Sequence, residues 1–163
     1  MEKFNHIELN NEVTKRGDNG FFRLEKDQEA IAEFLREVDY KTVKFSSEIK
    51  RLRYLVEENY YYNIFDKYIE DEIVECLELA ANYKFEFKSY MAASKFYKDY
   101  ALKTNDKKQY LENYNQHVFI VAMYLADGNV SLAKELMISM LEQRVQPATP
   151  TFLNSGRSRR GEL

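Results

Sequence analysis

The sequence predicts an all-α fold, and two observations support that class. Gly and Pro, which most often interrupt regular structure, are nearly absent between Phe21 and Asp127. Apolar residues in this stretch recur at three- and four-residue steps, which is the spacing of one helical face. The 163 residues are 45% hydrophobic and 31% charged, which is typical of one soluble domain. We therefore expect about six helices around a core that needs neither disulfides nor metals.

Charge and cysteine content exclude several classes of protein. The formal net charge of -3 argues against a dedicated nucleic-acid binder, which would need a basic surface. Cys76 is the single cysteine, so an internal disulfide framework and a multi-cysteine zinc site are excluded. Residues 1–9 lack the basic and apolar parts of a signal peptide, and the longest apolar run, residues 118–126, is about half a membrane span. We expect a cytoplasmic protein that binds neither nucleic acid nor membrane.

The first 24 residues are expected to form an N-terminal arm or hairpin. Asn10-Asn11 and Gly17-Asp18-Asn19-Gly20 supply turn-forming residues before the helices begin. Residues 25–145 are expected to form the helical domain. The first helix should start after Leu24, and the second should start after the N-cap candidates Ser46-Ser47. Four further helices should cover residues 70–83, 89–102, 107–126 and 130–144. A short helical turn is expected within residues 60–68.

The apolar faces of these helices predict the core. The run Asp127-Gly128-Asn129 should end one helix, so that the last two form a helix hairpin. The residues expected to face inward are Ile31, Phe34, Leu35, Val38, Ile49, Leu52, Leu55, Val56, Ile73, Val74, Leu77, Ala80, Leu111, Tyr114, Val118, Val121, Ala122, Leu125, Ala133, Leu136, Met137, Met140 and Leu141.

Residues 146–163 differ in composition from the helices. Both prolines, Pro147 and Pro150, fall at the start of this segment, and the short apolar pair Phe152-Leu153 precedes Ser155-Gly156. This order predicts a turn that leads into one buried strand and a loop. A lone strand needs a partner, so we expect another domain to begin where this sequence stops.

Few residues offer catalytic chemistry. His6 and His117 are not at metal-ligand spacing, and the sequence has no glycine-rich phosphate loop, nucleophile elbow or Cys/His arrangement. We therefore predict no catalytic residue and no metal ligand in this chain. His117 is expected to pack or to form hydrogen bonds, and Cys76 is expected to be a buried structural thiol. The acidic run Glu70-Asp71-Glu72 should mark a helix start.

Two features near the end of the sequence could bind an anion. Thr149 and Thr151, with the backbone near Gly156, offer hydroxyl and N–H donors. A basic cluster follows, comprising Arg157, Arg159 and Arg160. This basic cluster could donate charge-assisted hydrogen bonds to a phosphate, or it could form a solvated tail.

Longer motifs are more specific. They are LNNE (residues 9–12), SKFYKDYALKTNDKK (94–108), YNQH (114–117), QRVQPATPTFLNSG (143–156) and RRGEL (159–163). Over essentially its whole length the sequence resembles the N-terminal portion of the class Ib ribonucleotide reductase large (alpha) subunit, as found in low-GC Gram-positive bacteria or their phages. The resemblance implies the helical N-terminal domain of that subunit, followed by the first strand of its α/β barrel.

The resemblance also implies an activity and partners. The family reduces ribonucleoside diphosphates to deoxyribonucleoside diphosphates by radical chemistry at a cysteine. The implied partners are the remainder of the alpha subunit, the nucleoside diphosphate substrate and, indirectly, a radical-generating beta subunit with a dimanganese or diiron centre. A thiol reductant completes the reaction, and no cofactor is implied for this chain. Residues 1–24 would belong to a shortened ATP-cone-like region. Residues 1 to about 50 are too short for a complete cone, and this region could bind an allosteric nucleotide.

Three residues carry over to the substrate site of the family. A threonine of the Thr-Pro-Thr segment contacts the substrate diphosphate there, which corresponds to Thr149 or Thr151 in this sequence. The resemblance does not decide between the two. Gly156 would shape the same pocket.

The sequence departs from the family at its end. In relatives, Gly-Glu-Leu is soon followed by a Ser-Cys that binds substrate, whereas this sequence ends at Leu163. The catalytic cysteines would lie beyond that point, and Cys76 matches none of them, so the chain alone is expected to be inert. It could be a piece of a split gene, an excised piece or a remnant. The alternative function is a stand-alone helical interaction module that binds or regulates a reductase.

Overall fold

Helices provide the regular structure of residues 4–13 and 24–158, which are the residues that the computed structural model describes. They are α1 (His6–Val13), α2 (Leu24–Tyr40), α3 (Glu48–Glu57), α4 (Glu70–Asn82), α5 (Tyr90–Lys95), α6 (Tyr114–Ala126), α7 (Val130–Leu141) and α8 (Thr149–Asn154). A 3-10 turn covers Ile64–Asp66, and a π-helical turn covers Phe96–Tyr100. Strand pairing within the described ranges is limited to isolated bridges. The predicted all-α class is confirmed.

The chain divides into two compact units, and each is built from two separate segments. The first unit comprises Met1–Val43 and Glu86–Leu111, and the second comprises Lys44–Phe85 and Glu112–Leu163. Each unit therefore completes its core with residues that are distant in sequence.

In the first unit, α1 packs against α2, and α2 packs against α5. Residues 6–13 are thus helical, which differs from the expected arm or hairpin. His6 anchors α1: its Nε2 donates to the Glu37 carboxylate, and its Nδ1 lies 2.8 Å from the Tyr90 hydroxyl. Burial would raise the pKa of Glu37, but hydrogen bonds and charges from Lys41 and His6 outweigh burial and lower this pKa.

Tyr110 shapes the end of the first unit. Its N–H donates to the Lys41 carbonyl at 3.0 Å, and its carbonyl accepts from the Val43 N–H at 3.0 Å. It also forms an antiparallel bridge with Lys103, and its ring meets the Tyr97 ring edge-on at 5.3 Å. This pairing requires extended backbone at Tyr110, where the sequence predicts a helix.

The helix predicted over residues 107–126 begins only at Tyr114, so its first part is wrong. Lys107 has a φ of 59°, a left-handed conformation that a right-handed helix does not accommodate. The Asn113 side chain accepts from the Gln116 N–H at 2.9 Å, and Gln116 Oε1 accepts from the Asn113 N–H at 2.8 Å. This reciprocal capping box satisfies the first turn and starts α6 at Tyr114.

The centre of the second unit is α6. Its buried side chains are Tyr114, His117, Val118, Phe119, Ile120, Val121, Ala122, Met123 and Ala126. A helix that is apolar on nearly every side must be surrounded by other elements, and α4, α7 and α8 pack against it. Throughout the described ranges, no helix is long and apolar enough to cross a membrane.

The predicted hairpin of the last two long helices is confirmed. Asp127 and Gly128 follow α6 with φ values of 44° and 96°. A Cβ at Gly128 would lie 3.2 Å from the Lys67 carbonyl, so both the turn and this approach favour glycine. Asn129 then caps α7 by accepting from the Leu132 N–H at 3.0 Å.

Most predicted inward faces are also confirmed. Ser47 caps α3 and accepts from the Lys50 N–H at 3.3 Å, and the acidic run at Glu70 opens α4. Predicted residues that are buried include Ile31, Phe34, Val38, Leu52, Leu55, Ile73, Leu77, Ala80, Leu111, Val118, Val121, Ala122, Ala133, Met137, Met140 and Leu141. The exceptions are Leu35, Ile49, Val56, Val74 and Leu136, which are half-buried, and Leu125 in the last turn of α6, which is 40% exposed.

The predicted strand near the end of the sequence is wrong, because residues Thr149–Asn154 form α8. Pro150 lies in its first turn, where a fixed φ and a missing N–H suit a helix. Phe152 and Leu153 are both buried. Neighbouring strand residues point to opposite faces, so a strand would need cover on both sides. In α8 the Phe152 ring instead packs against Tyr114 and His117 of α6.

Some sequence predictions fall outside the described residues. These are the Gly17-Asp18-Asn19-Gly20 turn, the arginines Arg159 and Arg160, and the stretch Gly161-Glu162-Leu163. The predicted domain limits at residues 24 and 145 stay predictions.

Replacement of the α6 cap gives a first prediction. Asn113→Ala should lower the free energy of unfolding by about 1 kcal/mol, because the Gln116 N–H loses its acceptor. Thermal unfolding followed by circular dichroism measures the change. Asn113→Ser keeps a capping oxygen and is the matched control, expected to stay close to the parent. Equal stability of the alanine variant and the parent would contradict the assigned cap.

Candidate functional site

The threonines predicted to bind substrate both lie in the first turn of α8. Thr149 and Thr151 are half-buried. Helical positions two residues apart point about 200° apart around the axis. The two hydroxyls therefore face different directions, and a ligand that approaches α8 from one side meets one of them.

Gly156 brings the chain that leaves α8 against α6. Its φ is 81°, and a Cβ at this position would lie 2.6 Å from Ile120 Cγ1 and 3.0 Å from the Ile120 carbonyl oxygen. Because one of these neighbours is a backbone atom, rotating the Ile120 side chain would not make room for a larger residue at position 156. Glycine at this position thus lets the end of α8 lie directly on α6.

The residues that follow Gly156 pair with the loop after α3. The Tyr62 N–H donates to the Gly156 carbonyl, and the Ser158 N–H donates to the Tyr60 carbonyl, both at 3.0 Å. An antiparallel bridge joins Tyr61 and Arg157 between these two bonds. The side chains of both bridge residues bind the same buried carboxylate.

That carboxylate belongs to Glu112, whose side chain is 0% exposed. Its Oε2 accepts from the Tyr61 hydroxyl, and its Oε1 accepts from His117 Nδ1 at 2.6 Å and from Arg157 Nη2 at 3.0 Å. Burial would raise the pKa of Glu112, but the His117 and Arg157 charges and the hydrogen bonds from His117 and Tyr61 outweigh it. The pKa is therefore held well below its usual range, and Glu112 is ionised.

His117 connects Glu112 with α8. Its side chain is 1% exposed, and its Nε2 donates to the Phe152 carbonyl at 2.6 Å. Its ring meets the Phe152 ring edge-on, with 4.5 Å between centroids. A carboxylate and a carbonyl both act as acceptors, so the two bonds form together only when both ring nitrogens carry a proton. The geometry thus corresponds to an imidazolium.

Arg51 completes the arrangement from α3. This buried guanidinium donates to Glu48 Oε2 at 3.2 Å and forms a side-chain hydrogen bond with Tyr61. Burial, followed by the negative charge of Glu112, raises the pKa of Tyr61, so its hydroxyl stays protonated and donates to Glu112. We call Glu112, His117, Tyr61, Arg51 and Arg157 the Glu112 cluster.

The Glu112 cluster joins separate chain segments by hydrogen bonds and fixes their orientation. Glu112 binds Tyr61, His117 and Arg157 inside the protein, and His117 also binds the backbone of α8. Such an arrangement holds chain segments in fixed positions. Among the described residues, no group of three His, Cys, Asp or Glu side chains could hold a metal ion.

Two family models together match nearly the whole chain. Residues 6–85 match the model described as "Ribonucleotide reductase N-terminal", and residues 86–160 match "Ribonucleotide reductase, all-alpha domain". The chain belongs to the ribonucleotide reductase large-subunit family.

Individual relatives agree with this assignment. The chain is 47% identical over 161 residues to the ribonucleoside-diphosphate reductase NrdEB subunit alpha of Bacillus subtilis (strain 168), covering 98% of this chain and 15% of the relative. A second alpha subunit from that strain is 47% identical over 159 residues, with coverages of 96% and 23%. The alpha subunit of Mycoplasma pneumoniae is 41% identical over 160 residues, with coverages of 97% and 22%. The chain thus spans less than a quarter of these relatives.

In this ribonucleotide reductase chain, the sequence-predicted site residues lie in one continuous segment. Thr149 and Thr151 open α8, Gly156 follows it, and Arg157 lies beside Tyr61. The Arg157 side chain is 8% exposed and binds Glu112, so it does not belong to a solvated tail. Contact of the threonines with substrate stays a prediction.

Sequence reasoning missed Glu112 and its partner Tyr61. A helix predicted across residues 107–126 hides Glu112 among the polar residues of an amphipathic pattern. The spacing Asn113-x-x-Gln116 is a capping signal, and it would have placed Glu112 before the helix. His117 was expected to pack or to form hydrogen bonds, and it does both.

Cys76, the cysteine of this reductase chain, is buried in α4 as the sequence predicts. Burial raises the pKa of its thiol to about 11. A thiol that is buried and protonated at neutral pH is chemically inert, which is typical of a structural cysteine.

The Glu112 cluster gives a second prediction. Glu112→Gln should lower the free energy of unfolding at neutral pH by about 3 kcal/mol, because His117 and Arg157 lose the carboxylate that compensates their burial. Urea unfolding of parent and variant from pH 7 to pH 3 measures this difference.

The pH dependence has a defined sign. The pKa of Glu112 is lower in the folded than in the unfolded chain, so its contribution is complete above the ordinary value of 4.5 and is lost as the pH falls below it. The difference between parent and variant should therefore shrink in acid. Other carboxyl groups are common to both proteins and cancel. A difference that stays constant from pH 7 to pH 3 would contradict the assigned ionisation.

Proposed function

We propose that this chain is the N-terminal part of a class Ib ribonucleoside-diphosphate reductase alpha subunit. In this proposal it contributes to the reduction of ribonucleoside diphosphates to deoxyribonucleoside diphosphates when the remainder of the subunit completes it. The observation that carries the proposal is the uninterrupted match of residues 6–160 to two consecutive reductase domains. The names of relatives that cover 96% to 98% of the chain support the same activity.

The contribution of this chain to the site is to present a threonine hydroxyl to the substrate diphosphate. Thr149 or Thr151 makes this contact, and Gly156 shapes the pocket by holding the end of α8 on α6. The rigidity of the segment supports this role, because Phe152 and Leu153 are buried and the Glu112 cluster holds both the helix and the chain beyond it. A hydroxyl on a fixed backbone binds a phosphate with little loss of conformational freedom.

The radical and redox cysteines come, in this proposal, from the remainder of the alpha subunit, so the chain alone does not turn over. Its own Cys76 is buried and has a raised pKa, which agrees with a structural role. A radical-generating beta subunit and a thiol reductant complete the system, which operates in the cytoplasm. An effector nucleotide bound by the region of residues 1–50 is a further part of the proposal.

Reconstitution tests the proposed function. The chain is mixed with a separately produced polypeptide that supplies the rest of the alpha subunit, together with radical subunit and reductant, and CDP reduction is measured. We expect turnover in the mixture and none with either piece alone. Absence of turnover with a folded, helical chain would overturn the proposal. A changed rate when the chain is added to an intact reductase would instead support a regulatory interaction module.

Two isosteric variants test the threonine contact in that mixture. Thr149→Val and Thr151→Val each remove one hydroxyl while keeping the shape of the side chain. Because a hydrogen bond to a charged group contributes about 1.5 to 3 kcal/mol, one variant should raise the KM for CDP by roughly 10- to 100-fold. The corresponding serine variant keeps the hydroxyl and should retain most of the affinity. An unchanged KM in both valine variants would contradict the contact.

Hydrogen exchange tests the effector nucleotide. If ATP or dATP binds the region of residues 1–50, the amides of α1 and α2 should exchange more slowly in its presence, since binding opposes local opening. The amides of α7, in the second unit, are the internal control. No heat of binding and no protection would contradict this part of the proposal.

A further inference from the structure

The end of α8 depends on a side chain from another helix. The last carbonyls of any helix lack partners within that helix, and the Phe152 carbonyl is among the last four of α8. His117 Nε2, from α6, donates to this carbonyl at 2.6 Å inside the protein. This bond joins the backbone of the threonine-bearing helix to the buried centre of the second unit.

The other end of the same ring is equally fixed. His117 Nδ1 donates to Glu112, which also binds Tyr61 and Arg157. The imidazole cannot rotate or shift without breaking a bond to a carboxylate that holds two further chain segments. The position of α8 is thereby tied to residues that lie outside α8.

We propose that His117 is a positioning residue for substrate binding: as an imidazolium bonded to Glu112 and to the Phe152 carbonyl, it sets the place of the Thr149 and Thr151 hydroxyls. This inference rests on the proposed function, because it assigns a role to a residue behind the threonines. His117 itself is buried and does not touch the substrate.

The charges around the ring fit this role. Charged and titratable groups near the imidazole and its carboxylate partner include Tyr61 from the loop after α3, Arg51 from α3 and Arg157 from the segment after α8. Glu48 lies one step further out, where it binds Arg51. Glu112 compensates the imidazolium directly, and the partial negative charge at the carbonyl end of α8 favours a cation at Nε2. A neutral imidazole has one N–H, so it would give up one of the two bonds.

Two variants separate the bond to α8 from the bond to Glu112. His117→Gln can place its amide nitrogen where Nε2 lies and so keep a donor for the Phe152 carbonyl. His117→Asn places its amide nitrogen closer to the position of Nδ1, so it keeps a donor for Glu112 and abandons the carbonyl. Both variants remove the charge and lose stability, so they form a matched pair.

The readout is the KM for CDP, measured separately from kcat in the reconstituted enzyme. We expect His117→Asn to raise the KM by about tenfold or more with kcat changed by less than about twofold, while His117→Gln stays within about threefold of the parent KM. Asn115→Ala is the stability control. Asn115 lies on the same helix but binds the Ala80 and Tyr83 carbonyls, so its loss should weaken α6 packing and leave the KM unchanged.

The outcomes separate this inference from the function on which it rests. If one Thr→Val variant raises the KM but His117→Asn does not, the positioning role is overturned and the threonine contact stands. Equal increases in KM for His117→Gln, His117→Asn and Asn115→Ala would also overturn it, because the effect would then follow stability alone. If neither Thr→Val variant changes the KM, the threonine contact fails and the positioning role falls with it.

A spectroscopic measurement on the chain alone tests the charge state that the inference requires. Nitrogen-15 NMR of the histidine side chains distinguishes a doubly protonated ring from either neutral tautomer. We expect both His117 nitrogens to carry a slowly exchanging proton at neutral pH, and His117→Gln identifies the signals by their loss. A neutral His117 tautomer at neutral pH would overturn the inference whatever the kinetics show.

Discussion

The arrangement of the second unit depends on the burial of one carboxylate, that of Glu112. A charge taken out of water costs several kcal/mol unless paired and hydrogen-bonded. Glu112 meets this requirement with donors from Tyr61, His117 and Arg157, which belong to three different segments. Compensating the charge therefore fixes the loop after α3, the first turn of α6 and the chain beyond α8 together. Any rearrangement of one segment leaves an uncompensated charge inside the protein, so the three segments are positioned as a group.

Apolar packing and the polar cluster have complementary effects around α6. The buried side chains of this helix exclude water, which strengthens hydrogen bonds among Glu112, His117 and Arg157. Apolar contacts alone are non-directional and leave neighbouring elements able to slide. The bond from His117 to one particular carbonyl and the approach of Gly156 to Ile120 remove that freedom. The core supplies stability, and these directional contacts define where α8 lies.

Local signals allowed most helices to be predicted from the sequence. Periodicity and capping residues such as Ser47 act within a few positions, so the starts of α2 and α3 and both bounds of α4 and α7 were predicted close to those observed. The start of α6 and the helical state of α8 depend on pairing and packing with distant residues. The role of Glu112 was not predicted for the same reason, because its partners Tyr61 and Arg157 lie 51 and 45 residues away in the sequence. The burial of the Cys76 thiol was predictable because Cys76 lies beside the apolar residues Ile73, Leu77 and Ala80 on one face of α4.

The second unit is built from two separate chain segments, and this affects how it can fold during synthesis. Lys44–Phe85 leave the ribosome well before Glu112–Leu163, with the first unit's segment Glu86–Leu111 between them. Until that later segment is made, Arg51 and Tyr61 have no buried carboxylate to approach, and the apolar face of α4 has no α6 to cover it. Domains complete their cores only when all their strands or helices are available. The nascent chain thus carries an unfinished surface until Glu86–Leu111 and the α6 residues that follow have been translated, which is when chaperone contact matters most.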